Sequence, residues 1–249
     1  MERFEGRVAV VTGAAQGIGY AIAERLVAEK ISKIAIMDWN AETIKAAAEK
    51  LAEGHPDTEV MPVQCDVSDP DAVNAAFAKV EEAFGRIDIL VNNAGINRDV
   101  MFHKMSFMQW DDVLKVNLYG AFNCCKAVMQ GMRDRCYGRI INLSSTSAYG
   151  NAGQVNYSTT KGALISMTKS LAKEGGRKNI VVNAIAPDAI DTAMIRAVPK
   201  DIIDDLLRRH PMQRLGQPEE VAALVAFLAS EECSYVSGTV IDCSGAYRT

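Results

Sequence analysis

The sequence predicts one doubly wound α/β layer structure, a seven-stranded parallel sheet with helices on both faces, and three observations carry that reading. Seven short apolar runs rich in β-branched residues recur along the 249 residues, helical patterns separate them, and Gly, Pro, Ser and Asp punctuate the joins. Continuous apolar runs suit strands buried on both faces, and strict strand–helix alternation specifies parallel pairing. No stretch resembles a linker, an internal repeat or a low-complexity segment, so a single domain over residues 1–249 is expected.

The first strand is read at 7–12 (RVAVVT) and runs into TGAAQGIG, which opens a helix over 18–30. The second, 33–38 (KIAIMD), ends on Asp38 and precedes a helix over 41–53. The third, 59–64 (EVMPVQ), leads through Ser68-Asp69-Pro70 into a helix over 70–84, with Asp as the cap and Pro in the first turn. Strand four, 87–92 (IDILVN), precedes a long helical pattern over 107–134, and strand five, 139–144 (RIINLS), precedes one over 156–174. After strand six, 180–186 (IVVNAIA), the alternation breaks. Residues 187–216 carry an amphipathic segment with Ile202, Ile203, Leu206 and Leu207, then Pro211, and read as an excursion of the kind that forms a lid. Gln217-Pro218-Glu219-Glu220 starts a helix over 218–230, and the last strand lies at 239–242 (TVID).

Composition narrows the function classes. The net charge of −4 is spread without a basic tract, which leaves nucleic-acid binding no electrostatic footprint. No apolar stretch approaches the length of a bilayer span and the N-terminus enters the first strand without a charged-then-apolar leader, so a soluble, cytoplasmic protein is expected. Cysteines 65, 124, 125, 136, 233 and 243 lack C-x-x-C pairing and read as free thiols. His55, His103 and His210 have no ligand-spaced partners, so no metal site is expected. A hydrolase nucleophile at Ser144 or Ser145 would need a G-x-S-x-G elbow, and none is present.

Two segments carry chemistry. After the first strand, Gly13, Gly17 and Gly19 are spaced G-x-x-x-G-x-G. The first permits the turn, the second lets backbone N–H groups approach a pyrophosphate, and the third lets the following helix pack on the strand, with phosphate at the helix N-terminus. Asp38, about 20 residues further on, is placed to accept hydrogen bonds from adenosine ribose hydroxyls and to oppose a 2′-phosphate. No Lys or Arg stands beside Gln16 in the glycine turn, so NAD is expected over NADP. The second segment is Y-S-T-T-K, which puts Tyr157 and Lys161 one turn apart on one helix face. A phenol with a reference pKa of about 10 needs roughly 4 kcal/mol of preferential phenolate stabilisation to work near pH 7, and a neighbouring ammonium and an oxidised nicotinamide are both of the right sign.

TGAAQGIG (12–19), Asp66-Val67, NNAG (92–95), Asn117 in VNLYG, the serines after RIINL, YSTTK (157–161) and NAIAP (183–187) fall in one order, and by them the chain resembles the short-chain dehydrogenase/reductase family over essentially its whole length. The resemblance implies a Rossmann-like fold and a homotetramer. It makes Tyr157 the proton donor and acceptor, Lys161 the residue that lowers its pKa and holds the nicotinamide ribose, and Asn117 an anchor for a proton-relay water. It makes Ser145, with Ser144 as the alternative, the hydrogen-bond partner of the reacting oxygen. Cofactor contacts are implied for Gly13, Gln16, Gly17, Ile18, Gly19 and Asp38, for Asp66 and Val67 beside the adenine, and for Asn93, Ala94 and Gly95 along the floor. Pro187, Ile190 and Thr192 complete the implied set, Thr192 at the carboxamide.

Within the family, INRDVMFHKMSFMQWDDVLKVNLYGAFN and PMQRLGQPEEVAALVAFLAS look most like 3-oxoacyl reductases acting on carrier-protein or CoA thioesters. Those reductases commonly carry NADP-type basic residues that are absent here, and the ending SGAYRT is similar to that of NAD-dependent bile-acid hydroxysteroid dehydrogenases. The expected activity is therefore NAD(H)-dependent interconversion of a secondary alcohol and a ketone. A 3-oxoacyl or 3-hydroxyacyl thioester is the leading substrate class, with a hydroxysteroid, and a non-catalytic nicotinamide-binding regulator, as alternatives. Asp188 stands where the family ordinarily has the Gly of a Pro-Gly pair. It reads either as a strained tolerance of a positive-φ turn or as a carboxylate near the nicotinamide that favours the oxidised ring.

Overall fold

The computed structural model describes residues 2–247; Arg248 and Thr249, which end the SGAYRT segment, lie outside the described residues. Seven strands, β1 (Val8–Thr12), β2 (Lys33–Asp38), β3 (Glu59–Gln64), β4 (Ile89–Asn92), β5 (Gly138–Leu143), β6 (Ile180–Pro187) and β7 (Val240–Cys243), form one sheet. Their order is β3-β2-β1-β4-β5-β6-β7 and every neighbouring pair is parallel.

Period-two alternation sends successive side chains of the central strands to opposite faces. Ala9 and Val11 of β1, Ile34 and Ile36 of β2, and Ile89 and Val91 of β4 pack into one core with helices α1 (Gly17–Ala28), α2 (Ala41–Glu53) and α9 (Pro218–Ala229). Val8 and Val10, Ala35 and Met37, and Leu90 pack into the other with α3 (Pro70–Phe84), α5 (Gly120–Arg135) and α6 (Val155–Gly175). Both faces are therefore apolar, which is why the runs read as continuous rather than alternating.

The helical pattern expected over 107–134 is not one α-helix. It divides into α4 (Phe107–Leu114), a π-helical turn (Lys115–Tyr119) and α5, because the turn holds one extra residue per hydrogen-bonded loop. The excursion contains two helices, α7 (Ala193–Arg196) and α8 (Lys200–Arg209), and its base is closed by an isolated parallel bridge between Ile190 and Gly216. Among the described residues no helix is long and apolar enough to cross a membrane.

Strand order reverses between β1 and β4, so the connections leaving these strands diverge and open a crevice at the carboxyl end of the sheet. Thr12 pins that point: its Oγ1 accepts from the backbone N–H groups of Asn93 and Ala94, each at 3.1 Å.

Candidate active site

A cavity of about 730 Å³ runs along the carboxyl end of the sheet from Asp38 to Tyr157. Sixteen residues expected in the site line it. They are Gly13, Gln16, Gly17, Ile18, Asp38, Asp66, Val67, Asn93, Ala94, Gly95, Ser145, Tyr157, Lys161, Pro187, Ile190 and Thr192. Gly19 and Asn117 do not line it and sit behind its wall.

The glycine turn has the geometry of an anion cradle. Gly13 and Gly17 have φ of +63° and +59°, and a Cβ on Gly13 would lie 2.8 Å from the Ala94 Cα. A Cβ on Gly19 would collide with the Gly13 carbonyl, so this glycine keeps the helix on the strand and takes no direct part in the cavity. Asn93 donates from Nδ2 to the carbonyls of Thr12 and Gly13, both at 3.0 Å, and holds the turn open. The α1 N-terminus faces the cavity with Gln16 making no side-chain cap and no acidic residue in the first turn. Its free N–H groups and positive dipole end suit a phosphate.

At the far end, Asp38 is oriented by the backbone. Its carboxylate accepts from the Asn40 N–H at 3.3 Å and from the Ala15 N–H at 3.4 Å. Trp39, 72% exposed, lines the same end with Asn40 and Thr43, a contribution that pattern reading did not single out. The donor and acceptor set thus fits an adenosine dinucleotide, with phosphates at the glycine turn and a ribose at Asp38.

At the near end, helix α6 brings Tyr157 and Lys161 to one face, with Lys161 Nζ 5.5 Å from the Tyr157 ring centroid. Lys161 is buried and donates to the Leu143 carbonyl at 2.6 Å; burial pulls its pKa down to about 8. Burial pushes the Tyr157 phenol up to about 12, the Ser145 hydrogen bond pulls the other way, and the Asp99 charge adds to the rise. Ser145 also caps the following turn through Ser147 N–H at 3.1 Å. Ser144 also borders the cavity, but its hydroxyl is committed to the scaffold, donating to the Lys161 carbonyl at 2.8 Å, whereas the Ser145 side chain lies beside the phenol.

Asn117 lies in the π-helical turn, fully engaged with the β4 loop: Oδ1 accepts from Ile96 N–H at 2.8 Å and Nδ2 donates to Ile96 O at 2.9 Å. A Cβ on Gly95 would lie 3.3 Å from Asn117 Oδ1 and 3.6 Å from Lys161 Nζ, so these three residues meet at one point. Two positioning contacts left no signal in the sequence. Asn156 donates to the carbonyls of Arg98 and Gln109, both at 3.1 Å, and Gln154 joins Asp99 at 2.8 Å to Ser147 at 2.9 Å.

Asp188 corrects one expectation. The positive-φ non-glycine positions among the described residues are Lys30, Cys136, Asn179, Gln213 and Ala246, and Asp188 is not one of them. The turn after Pro187 therefore imposes no left-handed strain, and the aspartate is not a strained stand-in for glycine.

The profile of the family described as "Enoyl-(Acyl carrier protein) reductase" matches residues 13–247. The chain is 43% identical to a 3-oxoacyl-[acyl-carrier-protein] reductase of Aquifex aeolicus, with 98% of each chain covered. It is 45% identical to an acetoacetyl-CoA reductase of Rhizobium meliloti, covering 96% of this chain and 97% of the relative. Among solved structures it is similar to a levodione reductase, with a TM-score of 0.94, 35% identity and 98% coverage of both chains. A phosphate cradle at the switch point, a Tyr–Lys pair against a serine at the opposite end, and near-complete coverage by reductases agree: the chain is an oxidoreductase that belongs to the nicotinamide-dependent short-chain dehydrogenase/reductase family.

Proposed function

We propose that the protein interconverts a secondary alcohol and a ketone with NAD(H), and that its substrates are 3-oxoacyl or 3-hydroxyacyl thioesters carried on CoA or a carrier protein. The observation that carries the reading is that Ser145, Tyr157 and Lys161 share one end of the cavity, with Lys161 Nζ 5.5 Å from the Tyr157 ring centroid. The thioester class is supported by the relatives named for 3-oxoacyl and acetoacetyl-CoA reduction, and NAD over NADP by the carboxylate of Asp38.

In ketone reduction the Tyr157 hydroxyl gives its proton to the carbonyl oxygen, and Ser145 hydrogen-bonds that oxygen as negative charge grows on it. In alcohol oxidation the same phenolate oxygen takes the proton back. A nicotinamide held at the Tyr157 and Lys161 end would supply or accept the hydride, and its ring would be cationic when oxidised. Burial holds the Tyr157 phenol up to about 12, so the neighbouring Lys161 side chain and an oxidised nicotinamide bound beside it would both be of the sign that favours the phenolate. Asn117 holds the Ile96 segment beside Lys161 and anchors the route by which the proton is replaced.

The expected assembly is a homotetramer, supported by the exposed apolar side chains of Phe102, Phe107, Met108 and Phe122, and light scattering on the purified chain tests it. The function itself is tested with acetoacetyl-CoA and NADH. Tyr157→Phe should lower kcat by at least about 10²-fold while the NADH dissociation constant stays within about twofold. Near-wild-type turnover by the folded variant sinks the assignment.

A further inference from the structure

Asp188 stands in the wall between the large cavity and a smaller one of about 320 Å³, lined also by His210, Met212, Arg214, Glu220 and Asp242. Its two carboxylate oxygens face different segments. Oδ1 accepts from the Thr146 hydroxyl at 2.5 Å, and Oδ2 lies 2.6 Å from His210 Nε2, with side chains 15% and 3% exposed for Asp188 and His210. The contact is one of proximity and packing rather than an aligned hydrogen bond, because neither Asp188 Oδ2 nor His210 Nε2 has a hydrogen-bond partner among the described residues.

Each partner belongs to a functional segment. Thr146 follows Ser145 directly and begins the short turn that Ser145 caps. His210 ends α8, its backbone N–H bonded to the carbonyls of Leu206 and Leu207, and its ring stacks on Tyr247 with centroids 4.5 Å apart and planes within 10°. Asp188 itself is fixed to β7 by its N–H donating to the Cys243 carbonyl at 3.2 Å. Glycine at this position would offer neither contact.

We propose that Asp188 is a positioning residue, the centre of a strut Thr146–Asp188–His210 that sets Ser145 from one end and clamps the C-terminal end of the excursion from the other. The Ile190–Gly216 bridge closes the base of the excursion, and the strut is its second tie, from a side chain. The functional half of the proposal rests on Ser145 being the partner of the reacting oxygen. The clamping half stands without it.

Two pairs of variants test the two ends. At the serine end, Thr146→Val removes the hydroxyl at constant size and should lower kcat with acetoacetyl-CoA about tenfold while KM for NADH stays within about twofold. Thr146→Ser should recover most of that loss, because the hydroxyl is restored. At the other end, His210→Ala should raise tryptic cleavage at the exposed Arg196, Lys200 and Arg208 at least about fivefold in the native protein, and His210→Gln, which keeps a polar side chain packed against Asp188, should raise it less. Far-UV circular dichroism and the melting temperature show that each variant is folded. The strut is overturned if Thr146→Ser is as impaired as Thr146→Val, or if folded His210→Ala is cleaved at the wild-type rate. Should Ser145→Ala and Tyr157→Phe keep full activity, the proposed chemistry fails instead, and the proteolysis result still reads the clamp.

Discussion

At the scale of single residues, the site is decided by which way each polar group faces. Ser144 and Ser145 are adjacent and chemically identical, yet one hydroxyl is spent on the Lys161 carbonyl and the other meets the phenol. Ser145→Ala should therefore lower kcat by about 10²-fold or more, whereas Ser144→Ala should mainly lower stability, by about 1 kcal/mol for a lost buried hydrogen bond. Equal loss of kcat in both, assayed side by side, contradicts the division. Chain order gives the pair but not the direction of either side chain, because that depends on where β5 ends against α6. Lys161 supplies a pH test. Its folded pKa of about 8 lies below the unfolded value of 10.5, so between those limits the unfolded chain binds the additional proton and stability rises with pH. Relative to Lys161→Met, the wild type should gain up to about 3 kcal/mol between pH 7 and 11 in urea unfolding. A difference independent of pH would show that Nζ is not buried as a cation at neutral pH.

At the scale of elements, local chemistry was legible wherever it is written in adjacent residues. Asp69 caps α3 by accepting from Asp71 N–H at 2.9 Å and Ala72 N–H at 3.3 Å, with Pro70 in the first turn and Gly85 in the left-handed position at the other end. Asp69→Ala should cost about 1 kcal/mol, a fall in melting temperature of about 2–4 °C for a chain of this size, without changing KM. A larger fall accompanied by loss of cofactor affinity would mean that Asp69 acts through the neighbouring Asp66 loop as well. The π-helical turn at Lys115–Tyr119 was not legible, because the one-position shift it makes in the hydrophobic stripe is lost between the eight-residue α4 and the start of α5. Its consequence is large: it turns Asn117 to the Ile96 backbone. The Thr146–Asp188–His210 strut was hidden for a different reason, since its members are separated by 42 and 22 positions and only the packing of the excursion brings them together.

At the scale of the whole molecule, the order β3-β2-β1-β4-β5-β6-β7 places Asp38, the glycine turn, the Tyr–Lys pair and the foot of the excursion along one crevice. Continuous apolar runs and their spacing are enough to specify that sheet, and the amphipathic Ile202, Ile203, Leu206 and Leu207 pattern marked what became α8, whereas the four-residue α7 lies outside the two cores and is too short to carry a periodic signal. The crevice runs from the end of β2 to Thr192, so a dinucleotide filling it should stabilise the fold as a unit. With free NADH at 100 times its dissociation constant the expected gain is about 2.7 kcal/mol, a rise in melting temperature of roughly 5–10 °C. If Asp38 disfavours a 2′-phosphate by at least about 1.4 kcal/mol, NADPH at the same concentration should give about half that gain or less. Asp38→Ser should bring the two shifts together by removing the charge that opposes the phosphate. Because the measurement needs no substrate, it separates cofactor choice from chemistry, and a wild-type shift with NADPH as large as that with NADH would remove Asp38 as the residue that discriminates between them.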